Sequence, residues 1–137
     1  MKRNIYFTLF LKIVLLLTLN VYAKDIHIAV IDTGVDPNHP QISGKLWVGK
    51  KQANSRVFGV DFSSLDGSVN KKPFDHHGHG THIAGIIAKI NPKAKLHILK
   101  YFNPKADGLQ NLNATIRALR YAINLGVDVI NYSSGGP

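Results

Sequence analysis

The chain has no cysteine, so no disulfide can staple it and a packed core has to hold it together. Glutamate is missing too: the 8 acidic residues are all aspartates, against 17 lysines and arginines, for a formal net charge of +9. Such a balance raises the question of a nucleic-acid partner. The basic residues, however, scatter through loops and strand ends, as Lys45, Lys71, Lys93 and Lys100 do, with no aromatic-interleaved patch to grip phosphates and stack bases. The charge therefore reads as a solvated surface, and no nucleic acid is expected. Long apolar runs are also lacking. Ile13 to Leu19 is too short to span a bilayer alone, and Lys12 interrupts the run it belongs to. With Lys2 and Arg3 ahead of it and Val21-Tyr22-Ala23 behind, residues 1–23 read as a secretory signal rather than an anchor. The expectation is a secreted or periplasmic protein with no stable membrane anchor after cleavage, whose single domain occupies 24–137.

From Ile26 the run "IHIAVID" is nearly all apolar and β-prone, as a strand covered on both faces should be. It ends on Asp32, and Thr33-Gly34 marks a turn. A region rich in Gly, Pro, Asn and Ser follows, holding one short strand-like run, "RVFGVDF". Between Gly80 and Lys89, small and apolar residues on every side predict a helix buried all round, with Gly85 allowing close approach to a sheet and Asn91-Pro92 ending it. "KLHILKYF" predicts another strand, with Leu96, Ile98 and Lys100 on one side. Leu112, Ile116, Leu119 and Ile123 are spaced as one apolar face of a second helix, capped by Asn111 or Asn113 and closed by Gly126. "VDVINY" is the last predicted strand, and no internal repeat or low-complexity linker interrupts the pattern. Strands alternating with helices imply an α/β fold, a parallel sheet with helices on both faces joined by right-handed crossovers. Function in such sheets gathers beyond the carboxyl ends of the strands, where Asp32 falls.

The stretch "HHGHGTHIAG", His76 to Gly85, puts four imidazoles into seven residues. His79 stands at the mouth of the first predicted helix, whose dipole favours the neutral imidazole that a general base needs. A nearby carboxylate would fix the tautomer and stabilise the imidazolium formed once a proton is taken. Asp32 and His79 thus make a candidate pair for activating a nucleophile. A zinc clasp of His76, His77, His79 and His82 is the alternative, but metal ligation needs converging side chains with supporting partners, and Gly78 and Gly80 set no such convergence. His27 and His97, each on a strand, read as structural.

Three blocks, "VIDTGVDPNHP" (Val30 to Pro40), "GHGTHIAG" (Gly78 to Gly85) and "VDVINYSSGGP" (Val127 to Pro137), resemble in order the first three landmarks of subtilisin-like serine proteases. The resemblance covers Ile26 to Pro137. It implies that Asp32 is the triad aspartate and His79 the catalytic base, acting on a peptide or protein substrate. It also implies that Ser133, Ser134, Gly135 and Gly136 pair with substrate backbone, and that the loop near Gly108 forms the opposite wall of the cleft. His82 is then expected to pack beneath its neighbours, and His76 and His77 to face solvent.

The chain departs from that family in two respects. None of Ser43, Ser55, Ser63, Ser64, Ser68, Ser133 and Ser134 stands in the G-T-S-x-A setting of the family's nucleophile, so the expectation is a partial domain, incomplete at its C-terminal end and inactive or nearly so. Where relatives often bind structural calcium through an aspartate after His-Pro, this chain has Gln41; no calcium is expected there, and no other cofactor. Two rivals remain. "VIDTG" resembles the turn of aspartic proteases, but Val35-Asp36-Pro37 and two helices do not suit that β-rich family. A non-catalytic remnant that binds peptides or a partner protein through Ser133 to Gly136 needs only backbone groups and a pocket.

Overall fold

A strand of uninterrupted apolar residues cannot leave either face in water, and β1 (His27–Asp32) accordingly runs through the middle of a sheet. The computed structural model describes residues 24–47 and 57–134; the predicted signal at 1–23, and Gly135 and Gly136, lie outside the described residues. After β1 come β2 (Gly59–Asp61), α1 (His79–Ile90), β3 (Lys95–Lys100), α2 (Gly108–Leu125) and β4 (Val129–Tyr132). The four strands are all parallel in the order β2-β3-β1-β4. The fold is thus the predicted α/β type, a parallel sheet with helices on both faces.

Alternate residues of β1 feed two separate cores. Ile28 and Val30 join Val35, Ile42, Phe58, Leu96 and Ile98 under α1, which contributes Ala84. Ala29 and Ile31 join Val60, Phe62 and Leu99 under α2, which contributes Ala114, Ala118 and Ala122. Each fully buried Ile or Leu contributes about 1.5–3 kcal/mol of hydrophobic stabilisation, so the two clusters fix β1 from both sides. Its last residue, Asp32, is held with them.

The helices depart from expectation in the faces they bury. Only Gly80, Ala84 and Ala88 of α1 are buried, while Ile86 and Ile90 are exposed, so this helix is covered on one side rather than all round. Gly85 is not the point of close approach: a Cβ there would meet only Gln41 Oε1 at 3.7 Å, whereas one on Gly80 would collide with the carbonyl oxygen of Gly34. In α2 the predicted stripe faces largely outward, with Leu112, Ile116 and Ile123 exposed and only Leu119 packed on the sheet. The buried stripe is Ala114, Ala118 and Ala122, four apart, whose small side chains bring the helix close to Ala29 and Ile31. The cap differs as well. Asp107 accepts from the Gln110 amide at 2.7 Å while the Gln110 side chain accepts from the Asp107 amide at 2.9 Å, a reciprocal capping box that starts α2 ahead of Asn111 and Asn113. Gly126 closes the helix with φ 67°, as expected. Of "RVFGVDF", Arg56 lies outside the described residues, and among the rest Gly59–Asp61 is strand.

Candidate active site

Parallel strands deliver their last residues to one edge, and there β1 presents Asp32, 1% exposed. Burying a carboxylate is costly unless donors meet it. The Thr33 amide donates to Asp32 Oδ1 at 2.7 Å, and His79 Nδ1 lies 2.8 Å from the same oxygen. Asp32 Oδ2 is buried and without a hydrogen-bond partner among the described residues. His79 is the first residue of α1. With Nδ1–H donating to Asp32, its Nε2 carries the lone pair, and no described residue hydrogen-bonds that atom. Such an imidazole has a fixed tautomer and one nitrogen left to accept a proton.

A second set of contacts, which the sequence did not disclose, holds α1 in place. Gly34 has φ 112°, and a Cβ on it would sit 2.5 Å from the Pro73 carbonyl oxygen. That close approach lets the Val35 amide donate to Pro73 O at 2.9 Å and the Asp75 amide to Val35 O at 3.1 Å. Asp75 then receives the Thr33 hydroxyl (2.9 Å) and the amides of His77 (2.9 Å) and Gly78 (2.8 Å) on Oδ1. Its Oδ2 receives the amide (2.9 Å) and hydroxyl (2.6 Å) of Thr81. Partial burial works against the charge on Asp75, but the hydrogen bonds from Thr81, Gly78 and His77 outweigh it and hold the carboxyl well below the usual carboxylate range. The Thr33 hydroxyl also accepts from the Gly80 amide at 2.9 Å. The only hint in the sequence is an aspartate three residues ahead of a glycine that opens a helix, a local pattern shared by many turns.

The four clustered histidines do not gather. His79 meets Asp32, and His76 and His77 are exposed, the His77 ring lying 6.3 Å from that of His79 and 5.9 Å from Phe102. His82 does not pack beneath its neighbours. It is exposed, because it falls midway between the buried Gly80 and Ala84 and so points away from the sheet. Among the described residues no three His, Cys, Asp or Glu side chains are grouped to hold a metal. Gln41 offers a neutral amide rather than a carboxylate in a cavity of about 460 Å³ that His39, His82 and Lys89 also line.

Ser133 Oγ accepts from Asn131 Nδ2 at 2.9 Å just past β4, and Ser134 follows it, exposed. Gly108 is the first residue of α2 rather than part of a loop, and a Cβ there would touch nothing within 4 Å. The segment before it does approach the site. Phe102, Asn103, Pro104 and Lys105 line a cavity of about 380 Å³ together with Thr33, Ser63, His76 and His77. Tyr101 donates its amide to the Asp32 carbonyl oxygen at 3.0 Å, and its ring lies 5.5 Å from that of Tyr132. Burial first, and Tyr132 second, push the Tyr101 hydroxyl above its ordinary pKa.

A parallel α/β sheet whose central strand ends on a buried aspartate, bonded to a histidine that opens the next helix, is the architecture of subtilisin-like proteins. The chain belongs to the Subtilase family, whose sequence profile matches residues 23–137. It is 33% identical to the Major intracellular serine protease of Bacillus subtilis (strain 168), over 85% of this chain and 36% of that protein. Thermitase of Thermoactinomyces vulgaris is also 33% identical, over 80% of this chain and 37% of its own length. Among solved structures, that of a lanthipeptide protease superimposes with a TM-score of 0.58 at 28% identity, over 82% of this chain and 29% of that one. The chain thus spans about a third of the length of these relatives. Among the described residues no helix is long and apolar enough to cross a membrane.

Proposed function

We propose that this chain carries the acid–base half of a secreted serine-type endopeptidase whose whole form cleaves peptide bonds through an acyl-enzyme. The observation that carries the reading is the 2.8 Å contact between His79 Nδ1 and the buried Asp32. In that mechanism Asp32 holds the ring, and His79 Nε2 takes the proton of an attacking serine and returns it to the leaving amine. Ser133 to Gly136 aligns an extended peptide as an added strand. No step calls for a metal or other cofactor. In this reading the nucleophile is not among the serines of this chain, none of which stands in the G-T-S-x-A setting of the family's catalytic serine. Loss of the serine costs about 10⁶ in turnover in subtilisin itself, so this chain is expected to show residual hydrolysis at most.

The test begins with the coding DNA past the Pro137 codon, read in all three frames for a G-T-S-x-A motif. In a form that includes it, His79→Ala abolishes cleavage of a fluorogenic peptide while His76→Ala and His77→Ala spare it. Equal losses from all three would favour the metal clasp instead. A second reading, a peptide-binding remnant, is favoured by β4, which pairs with β1 on one side and exposes Val129 and Tyr132. Saturable binding of extended peptides by the purified chain, with no DNA-encoded nucleophile downstream, would select it.

A further inference from the structure

The reach of Asp75 exceeds that of an ordinary helix cap. Gly78, the N-cap of α1, has φ 95° and offers no side chain, so the first turn of the helix has no acceptor of its own. Asp75 supplies one from three residues upstream. Its five hydrogen bonds come from residues on both sides of His79 in sequence, His77, Gly78 and Thr81, and from Thr33 next to Asp32. The Thr33 hydroxyl closes the circuit by accepting from Gly80, the residue after His79. One ionised carboxylate therefore ties the strand end that holds Asp32 to the helix start that holds His79. Its negative charge also sits at the positive end of α1.

We infer that Asp75 is a positioning residue for the Asp32–His79 pair: it clamps the first turn of α1 onto the carboxyl end of β1 and keeps His79 Nδ1 aimed at Asp32. The inference rests on reading that pair as the proton relay of a protease. The Asp75 side chain hydrogen-bonds neither the His79 ring nor Asp32; it acts through Thr33, Gly78 and Thr81.

The experiment uses the full chain with isotope-labelled histidine and follows two ring N–H protons by NMR, one in the His79–Asp32 hydrogen bond and one in the His27–His97 hydrogen bond. The second lies at the far end of the sheet and reports that the fold is intact. Asp75→Asn keeps the size of the side chain but sets an amide against donors; it should speed solvent exchange of the His79 proton by about tenfold or more and leave the His27–His97 signal unchanged. If both signals survive unaltered in Asp75→Asn, Asp75 does not position the pair. Should Asp75→Asn unfold the chain and erase both, Thr33→Val leaves Asp75 in place and removes the two bonds by which the Thr33 hydroxyl joins β1 to the start of α1, one to Asp75 and one from Gly80. Faster exchange at His79 alone then supports the clamp, and no change overturns it. Asp32→Ala, which removes the acceptor itself, separates this from failure of the underlying reading. Loss of the His79 signal there shows that the pair exists for Asp75 to position, whereas persistence of the signal removes the pair and the clamp together.

Discussion

Nδ1 of His27 lies 2.7 Å from Nε2 of His97, across neighbouring strands at the end of the sheet away from Asp32. His97 is 5% exposed and stacks on Trp47, ring centres 4.6 Å apart. One ring has to donate and the other accept, which two protonated rings cannot do. Burial, and then the neighbouring charge of His27, lower the His97 pKa from 6.5 to about 4.

That depression sets a pH dependence. Between pH 6.5 and about 4 the unfolded chain holds a proton that the folded chain does not. Stability therefore falls as the solution is acidified through this window, by about 3 kcal/mol in all, and levels off below it. Asp75, held below its ordinary value of 3.8, contributes its own loss only at still lower pH. Urea unfolding at several pH values, read by the single Trp47, should show the fall, and His97→Phe should flatten it. A wild-type midpoint unchanged between pH 7 and pH 4.5 would refute the account.

Gly80 and Gly85 lie on the same helix with opposite prospects. Gly80→Ala drives a methyl into the Gly34 carbonyl and within 3.2 Å of the Asp32 Cβ, so it should cost about 1–3 kcal/mol and disturb the His79 contact. Gly85→Ala meets ordinary packing and gains helix propensity of about 1 kcal/mol at most. Denaturant midpoints should move down for the first and up, or not at all, for the second.

The face that α2 buries can be tested by exchange of size. Ala118→Leu pushes the helix off Ala29 and Ile31 and is expected to destabilise by about 1–3 kcal/mol. Leu112→Ala, at a site 52% exposed, should fall within about 0.5 kcal/mol of wild type. The reverse ranking in thermal melts would restore the leucine face as the buried one.

Asp107→Ala removes one half of the capping box of α2 and should cost about 1 kcal/mol. Asn111→Ala and Asn113→Ala test the caps expected from the sequence. Asn113→Ala should have little effect. Asn111 matters differently, because its side chain bridges to Asn103, 3.0 Å from that amide and 3.2 Å from its carbonyl oxygen.

The strands, both helices and the meeting of Asp32 with His79 were legible because each rests on a local pattern: an apolar run, a glycine after a helix, a histidine at a helix mouth. Orientation was less so. In α2 two stripes run side by side, one of leucine and isoleucine and one of alanine. Hydrophobicity alone favours the larger residues, while close packing on a sheet favours the smaller. His82 was misplaced for a related reason, since its face depends on which stripe of α1 meets β1. The Asp75 network joins residues 33 and 81 through a loop, and nothing in local spacing announces a contact between segments that far apart.

The strand order has a consequence for how the protein is made. Ile28 of β1 pairs with Leu96 on one side and Val129 on the other. Of the four described strands, the first to leave the ribosome is therefore the one that waits longest for both of these neighbours, since roughly a hundred residues separate Ile28 from Val129. At about 5–20 residues per second that interval is about 5–20 s. Through all of it the most apolar segment of the described chain has an open edge, which makes β1 the stretch that a nascent-chain chaperone would have most reason to hold.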